Sequence, residues 1–192
     1  MKKGVLGKIA MGLAGAAVVL TAVVATRPST FHYERSITVA APPETVFAQV
    51  NDFHAWTGWS PYEKLDPQIK RSYAGPASGV GASYAWSGNQ QVGEGRMTIE
   101  RSDAASQIAI KLEFVKPLAA TNMAKFTFAK TADGTKVTWA MDGENGFISK
   151  AASLVFDLEK LVGDDFERGL AALKTQAETA ARAQAQADDH PR

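Results

Sequence analysis

Apolar residues recur at every second position through most of this chain and at every third or fourth position towards its end. Phe31, Tyr33, Ile37 and Val39 share one face of a first strand, with His32, Glu34, Ser36 and Thr38 on the other. Ala41-Pro42-Pro43 stops that strand. Proline fits the first turn of a helix, and Glu44 complements the positive end of its dipole. Pro43 to Val50 therefore reads as a short helix presenting Val46, Phe47 and Val50 to a core. Asn51-Asp52 breaks it, and Asp52 is placed to cap a second short helical turn through His54 and Trp56.

Six further strands follow. They are Ile69 to Tyr73, Gly79 to Trp86, Val92 to Arg101, Ser106 to Phe114, Asn122 to Lys130 and Thr135 to Asp142. The second puts Val80, Ala82, Tyr84 and Trp86 on one face, and the fourth alternates Ile108, Ile110, Leu112 and Phe114 with polar residues. Asp133-Gly134 is a hairpin signal. After Gly143 the period changes: Leu154, Leu158, Leu161, Val162, Phe166, Leu170, Leu173 and Ala177 recur at helical spacing. Phe147 to Phe156 reads as a separate helical turn and Leu158 to about Ala183 as a long helix, with a fraying tail beyond. The class is α+β: strand, two short helices, six strands, long helix. A curved seven-stranded antiparallel sheet wrapped around that helix diverges from it at one end, which predicts a wedge-shaped apolar cavity.

The first residues differ in character. Lys2, Lys3 and Lys8 precede an uncharged run from Ile9 to Thr26. A run of this length is near the lower limit of a membrane span, roughly 17–25 residues. It also has the layout of a secretory signal, with Val23-x-Ala25 as a cleavage site. The reading divides the chain into a segment 1–26, anchor or signal, a domain 27–183 and a tail 184–192. The lysines stay cytoplasmic by the positive-inside rule, so the domain from Arg27 onward is exported, held at the membrane or secreted after cleavage near Ala25.

Net charge is +1, and the three N-terminal lysines account for more than all of it. The rest of the chain is weakly negative and has no basic footprint for nucleic acid. There is no cysteine, which excludes disulfides, thiolate catalysis and a lipoprotein anchor. His32, His54 and His190 show no metal-ligand spacing, and no cofactor motif is present. No Gly-x-Ser-x-Gly elbow occurs. Gly79-x-Gly81 and Gly93-x-Gly95 sit in strand contexts, where glycine marks bulges or curvature. Glu94, Arg96, Thr98 and Glu100 form a polar face beside Lys111 and Glu113. It is either a solvated outer face or, if Gly93-Glu94-Gly95 bulges, a register that turns Glu94 or Arg96 inward as a polar anchor. An inward carboxylate would be a candidate general acid or base. Trp56, Trp59, Tyr84, Trp86, Phe114, Phe126, Phe128 and Trp139 either fill the core or line an apolar pocket. Trp56 and Trp59, three apart on the second short helix, are expected at its rim.

Four stretches carry a family resemblance: ERSITVAAPPETVFAQVNDFHAWTGWSPY from Glu34 to Tyr62, the Gly93 to Ile99 run, Gly134 to Trp139 with Met141 and Gly143, and Gly163 to Leu170 leading to Leu173-Lys174. The chain from about Tyr33 to Ala177 resembles the START-like (SRPBCC, Bet v 1-like) superfamily, in particular its bacterial polyketide cyclase/dehydrase-like members. The resemblance implies a helix-grip fold with a hydrophobic cavity. It implies a bound lipid or other hydrophobic small molecule, with catalysis in only some members. The ligand-binding set expected on this basis is Trp56, Trp59, Tyr84, Trp86, Glu94, Arg96, Phe114, Phe128, Trp139 and Met141. No catalytic residue is assigned. A cyclase or dehydratase, and an interaction module with a filled cavity, remain the alternatives.

Overall fold

The structure is a computed structural model that describes the backbone of residues 2–189 and the side chains of residues 11–189. The elements in chain order are α1 (Lys2–Ala25), β1 (Thr30–Val39), α2 (Pro43–Asn51), α3 (Trp56–Trp59), a 3-10 turn (Pro61–Lys64), β2 (Lys70–Ala74), β3 (Ser83–Ser87), β4 (Glu94–Asp103), β5 (Gln107–Lys116), β6 (Ala120–Thr131), β7 (Gly134–Glu144), α4 (Phe147–Ala152) and α5 (Leu158–Asp189). The seven strands form one sheet in the order β1-β7-β6-β5-β4-β3-β2. Every neighbouring pair is antiparallel. This is the helix-grip architecture: a sheet with α2, α3 and α5 against one face.

Antiparallel pairing fixes which loops share an end of the sheet. Thr30 stands opposite Glu144, Asn122 opposite Gly143, Phe114 opposite Ala120, and Ser87 opposite both Glu94 and Lys70. The starts of β1, β2, β4 and β6 therefore lie at one end, together with the ends of β3, β5 and β7. The β6–β7 hairpin, where Thr131 pairs Gly134, lies at the other.

The core is an aromatic column between sheet and helix. Trp139 of β7 stacks on Phe166 of α5, with centroids 4.1 Å apart and planes 9° from parallel. Phe126 of β6 stacks on its side at 4.9 Å. Trp56 and Trp59 meet Trp139 edge-on, at 6.4 and 5.8 Å. Gly169 lets α5 come this close, because a Cβ there would lie 2.8 Å from the Trp139 ring and 2.9 Å from Pro61. The single turn α3 holds its two tryptophans on one side, three residues apart. Their indole N–H groups donate to Val50 O and Gln49 O, both at 3.0 Å. These are carbonyls at the end of α2 that no helical partner serves. The spacing thus welds α3 under α2 and buries both rings.

Three expectations change. The strand expected from Gly79 begins only at Ser83, because Gly79 and Gly81 adopt φ of 81° and 88°, turn conformations outside the strand region. Val80 is left exposed rather than facing the core. The last helix continues to Asp189, past Ala183, since its Ala, Gln, Glu and Arg residues are good helix formers. Leu161, expected in the buried stripe of that helix, is exposed. His190 lies outside the described residues. So do the side chains of Lys2, Lys3, Lys8 and Ile9. Among the described residues no helix is long and apolar enough to cross a membrane.

If the aromatic column holds the sheet to α5, Phe166→Ala costs about 3–5 kcal/mol, whereas Leu161→Ala stays within about 0.5 kcal/mol. Chemical denaturation followed by tryptophan fluorescence measures both. Equal losses would contradict this assignment of the core.

Candidate functional site

A groove of about 810 Å³ opens at the sheet end where β2, β4 and β6 begin and β3 and β5 finish. Two adjacent cross-strand rows line it. The first runs Ser72, Ala85, Arg96, Glu113, Thr121, and the second Arg71, Trp86, Gly95, Phe114, Ala120. Strand alternation points the rows to opposite faces. The first is polar and the second carries the aromatics. The Trp86 and Phe114 rings meet edge-to-face at 5.9 Å. Trp86 donates from Nε1 to Val92 O at 2.9 Å, which fixes its ring. Gly95 is the gap the ring needs: a Cβ there would lie 2.5 Å from it.

Four of the five charged side chains lining the groove, all but Lys70, are paired. Arg96 contacts Glu113 at 2.9 Å, Lys111 contacts the same carboxylate at 3.0 Å, and Lys116 contacts Glu94 at 2.8 Å. Hydrogen bonds from Arg96 and then Lys111 hold the Glu113 carboxyl below the usual range. The bulge suspected at Gly93-Glu94-Gly95 is present as a register shift between Glu94 and Gly95. Arg96 nevertheless keeps its side chain on the polar row, largely exposed, and Glu94 reaches Lys116. Among the described residues no unpaired buried carboxylate faces the groove. Among the described residues no group of His, Asp and Glu could hold a metal ion.

The ten expected ligand residues separate into three sets. Trp86, Glu94, Arg96 and Phe114 come together in the groove. Trp56, Trp59, Phe128 and Trp139 are buried in the aromatic column and its surroundings, as is Tyr84. Met141 is half-buried on β7, where its Sδ receives the Asn122 amide at 3.9 Å. The Trp139 Nε1–H has no hydrogen-bond partner and sits among aromatic rings.

Sequence reading missed a polar knot beneath the groove. Arg71 contacts the buried Glu63 carboxylate at 2.6 Å, and the Tyr84 hydroxyl donates to Glu63 at 2.7 Å. Alternation puts Arg71 on the same face as Tyr73, but β2 is exposed along its length, and nothing in the sequence places Glu63 beside it. Burial first, and the bond to Glu63 second, push the Tyr84 hydroxyl well above the usual phenol range. The neutral phenol is thus favoured by folding. Its contribution is complete below the ordinary tyrosine value of 10.0 and is lost as pH rises beyond it. Tyr33 and Tyr73 shift the same way. Tyr84→Phe should therefore flatten, without abolishing, the decline of the urea midpoint above pH 10.0. An unchanged slope would show that Tyr84 is not held neutral.

Residues 30–178 match the model of the family described as polyketide cyclase/dehydrase and lipid transport. Comparison with curated proteins finds no match. Solved structures share the fold at low identity. A Staphylococcus aureus protein of unknown function is 11% identical, with 80% of this chain and 96% of that one covered and a TM-score of 0.60. A Chromobacterium violaceum protein is 15% identical, over 79% of this chain and 99% of that one, with a TM-score of 0.54. The di-domain ARO/CYC BexL from the BE-7585A biosynthetic pathway is 17% identical, over 81% of this chain and 52% of that one, with a TM-score of 0.58. These identities carry the fold alone. The family match spans most of the chain and coincides with the sheet and the helix that builds its core, so the protein belongs to the polyketide cyclase/dehydrase and lipid transport family.

Proposed function

We infer that the protein is a membrane-tethered binding protein for a hydrophobic small molecule or lipid, with its domain on the periplasmic side. The observation that carries the binding role is the groove: about 810 Å³, within the range of small-molecule sites, with Trp86 and Phe114 beside paired charges. Its apolar row suits a ring or acyl chain, and its arginines suit a polar or acidic end. The family description, which includes lipid transport, supports the same class of ligand. Support for the tether is the helix α1 itself. Met11, Leu13, Val18, Val19 and Leu20 on it are exposed and apolar. The lysines at its start favour a cytoplasmic N-terminus.

The packed aromatic interior favours a second reading, an interaction module whose partner docks outside. A cyclase, the activity named for BexL, draws less support, because Glu94 and Glu113 both stand in ion pairs and Glu113 is held ionised.

Native mass spectrometry of the full chain, extracted from its own host's membranes, tests the binding role. A co-purifying apolar molecule is expected, and the Trp86→Ala/Phe114→Ala double variant should lose it at least tenfold while Trp59→Phe retains it. A chain that carries no such molecule, or carries it equally in the double variant, would overturn the reading.

A further inference from the structure

The chain leaves α1 at the same end of the sheet as the groove, since β1 begins opposite the end of β7. The junction is not a free linker. Arg27 Nη2 donates to Ser153 O at 2.9 Å, and Asn145 Nδ2 donates to Pro28 O and Thr30 O at 3.2 and 3.3 Å. Val24, near the helix end, is 1% exposed, and α1 contacts α4. The end of α1 is therefore fixed to the segment that joins β7 to α5.

That segment exposes more apolar surface than a soluble connection needs. Phe147 and Ile148 of α4 are 60% and 58% exposed, Val155 and Phe156 of the following loop 79% and 57%, and Leu161 on the first turns of α5 55%. Solvated proteins rarely cluster such residues unless something covers them. Asp157 caps α5 by accepting the Lys160 N–H at 2.9 Å, so the loop is held in place with these side chains outward.

We propose that α4 and the α4–α5 loop form a second membrane contact, which lays Phe147, Ile148, Val155 and Phe156 into the lipid surface beside the end of α1. This rests on the tethered reading above. The occupant is the bilayer, because the patch is continuous with an apolar helix and hydrogen-bonded to its exit. The fixed exit of α1 and this second contact together set the domain's orientation. Register then turns the groove end towards the lipid, together with the exposed Val115 at the end of β5 and Leu118 of the β5–β6 loop. A ligand would enter from the membrane rather than from water.

The chain has no cysteine, so single labels are clean. The full chain carrying Phe156→Cys, labelled with an environment-sensitive dye, is reconstituted into phosphatidylethanolamine–phosphatidylglycerol vesicles. Asp133→Cys, at the opposite end of the sheet, is the control. Flotation with the vesicles reports the tether, and the dye reports the second contact. The expected result is co-flotation, a blue shift and at least twofold quenching by lipid-borne quenchers at position 156, and neither at 133. Co-flotation with an unshifted dye at 156 overturns the second contact and leaves the tether standing. Failure to float overturns both. A blue shift that disappears on dilution into excess lipid marks contact between copies and overturns the bilayer as occupant.

Discussion

The stacking of Trp139 between Phe126 and Phe166 is the contact on which the other elements depend. It joins the centre of the sheet to the long helix, and Trp56 and Trp59 close it from the side. Rings at these separations contribute beyond their buried area, about 0.5–1.5 kcal/mol for a well-placed pair. The geometry is demanding. It needs Gly169 on the helix and the two indole hydrogen bonds to the end of α2. A sheet gripped at its centre in this way has little interior left to offer a ligand there. Space opens instead where the strands run out, at the β2–β6 end.

The order of elements ties that opening to the rest of the chain. One end of the sheet receives the exit of α1, the groove, α4 and the apolar loops. The other end carries the β6–β7 hairpin. Nothing beyond antiparallel register is required for this, because each strand reverses the last. Val80 is exposed at the hairpin end, whereas the groove and the exposed Val115, Leu118, Phe147, Ile148, Val155 and Phe156 share the opposite pole. Arg27, Asn145 and Ser153 hold the helix to that pole by direct hydrogen bonds.

Much of this was legible in the residues. Period-two alternation located all seven strands, and the switch to helical period located α5, because a sheet packed on one face must alternate. Edges were harder. Gly79 and Gly81 alternate with apolar residues as a strand would, yet their positive φ makes a turn. Pattern alone does not separate the two. The tryptophans show the same limit. Alternation tells which face a ring takes, and Trp86 and Trp139 share one. It does not tell how far along the sheet the helix covers that face. Trp139 lies beneath α5 and is sealed, and Trp86 lies near the sheet end and lines the groove. Glu63 was hidden for a different reason: its partners Arg71 and Tyr84 come from other elements, and only the fold brings the three together.

The central claim is that ligand sits at the strand ends and not within the aromatic column. The four tryptophans report on both places. Their indole N–H resonances can be followed by two-dimensional ¹H–¹⁵N NMR as laurate is titrated into the detergent-solubilised chain. Binding in the groove moves the Trp86 resonance in a saturable way and leaves Trp56, Trp59 and Trp139 in place. Saturable movement of Trp59 and Trp139 with Trp86 unmoved would put the ligand in the interior and contradict the account.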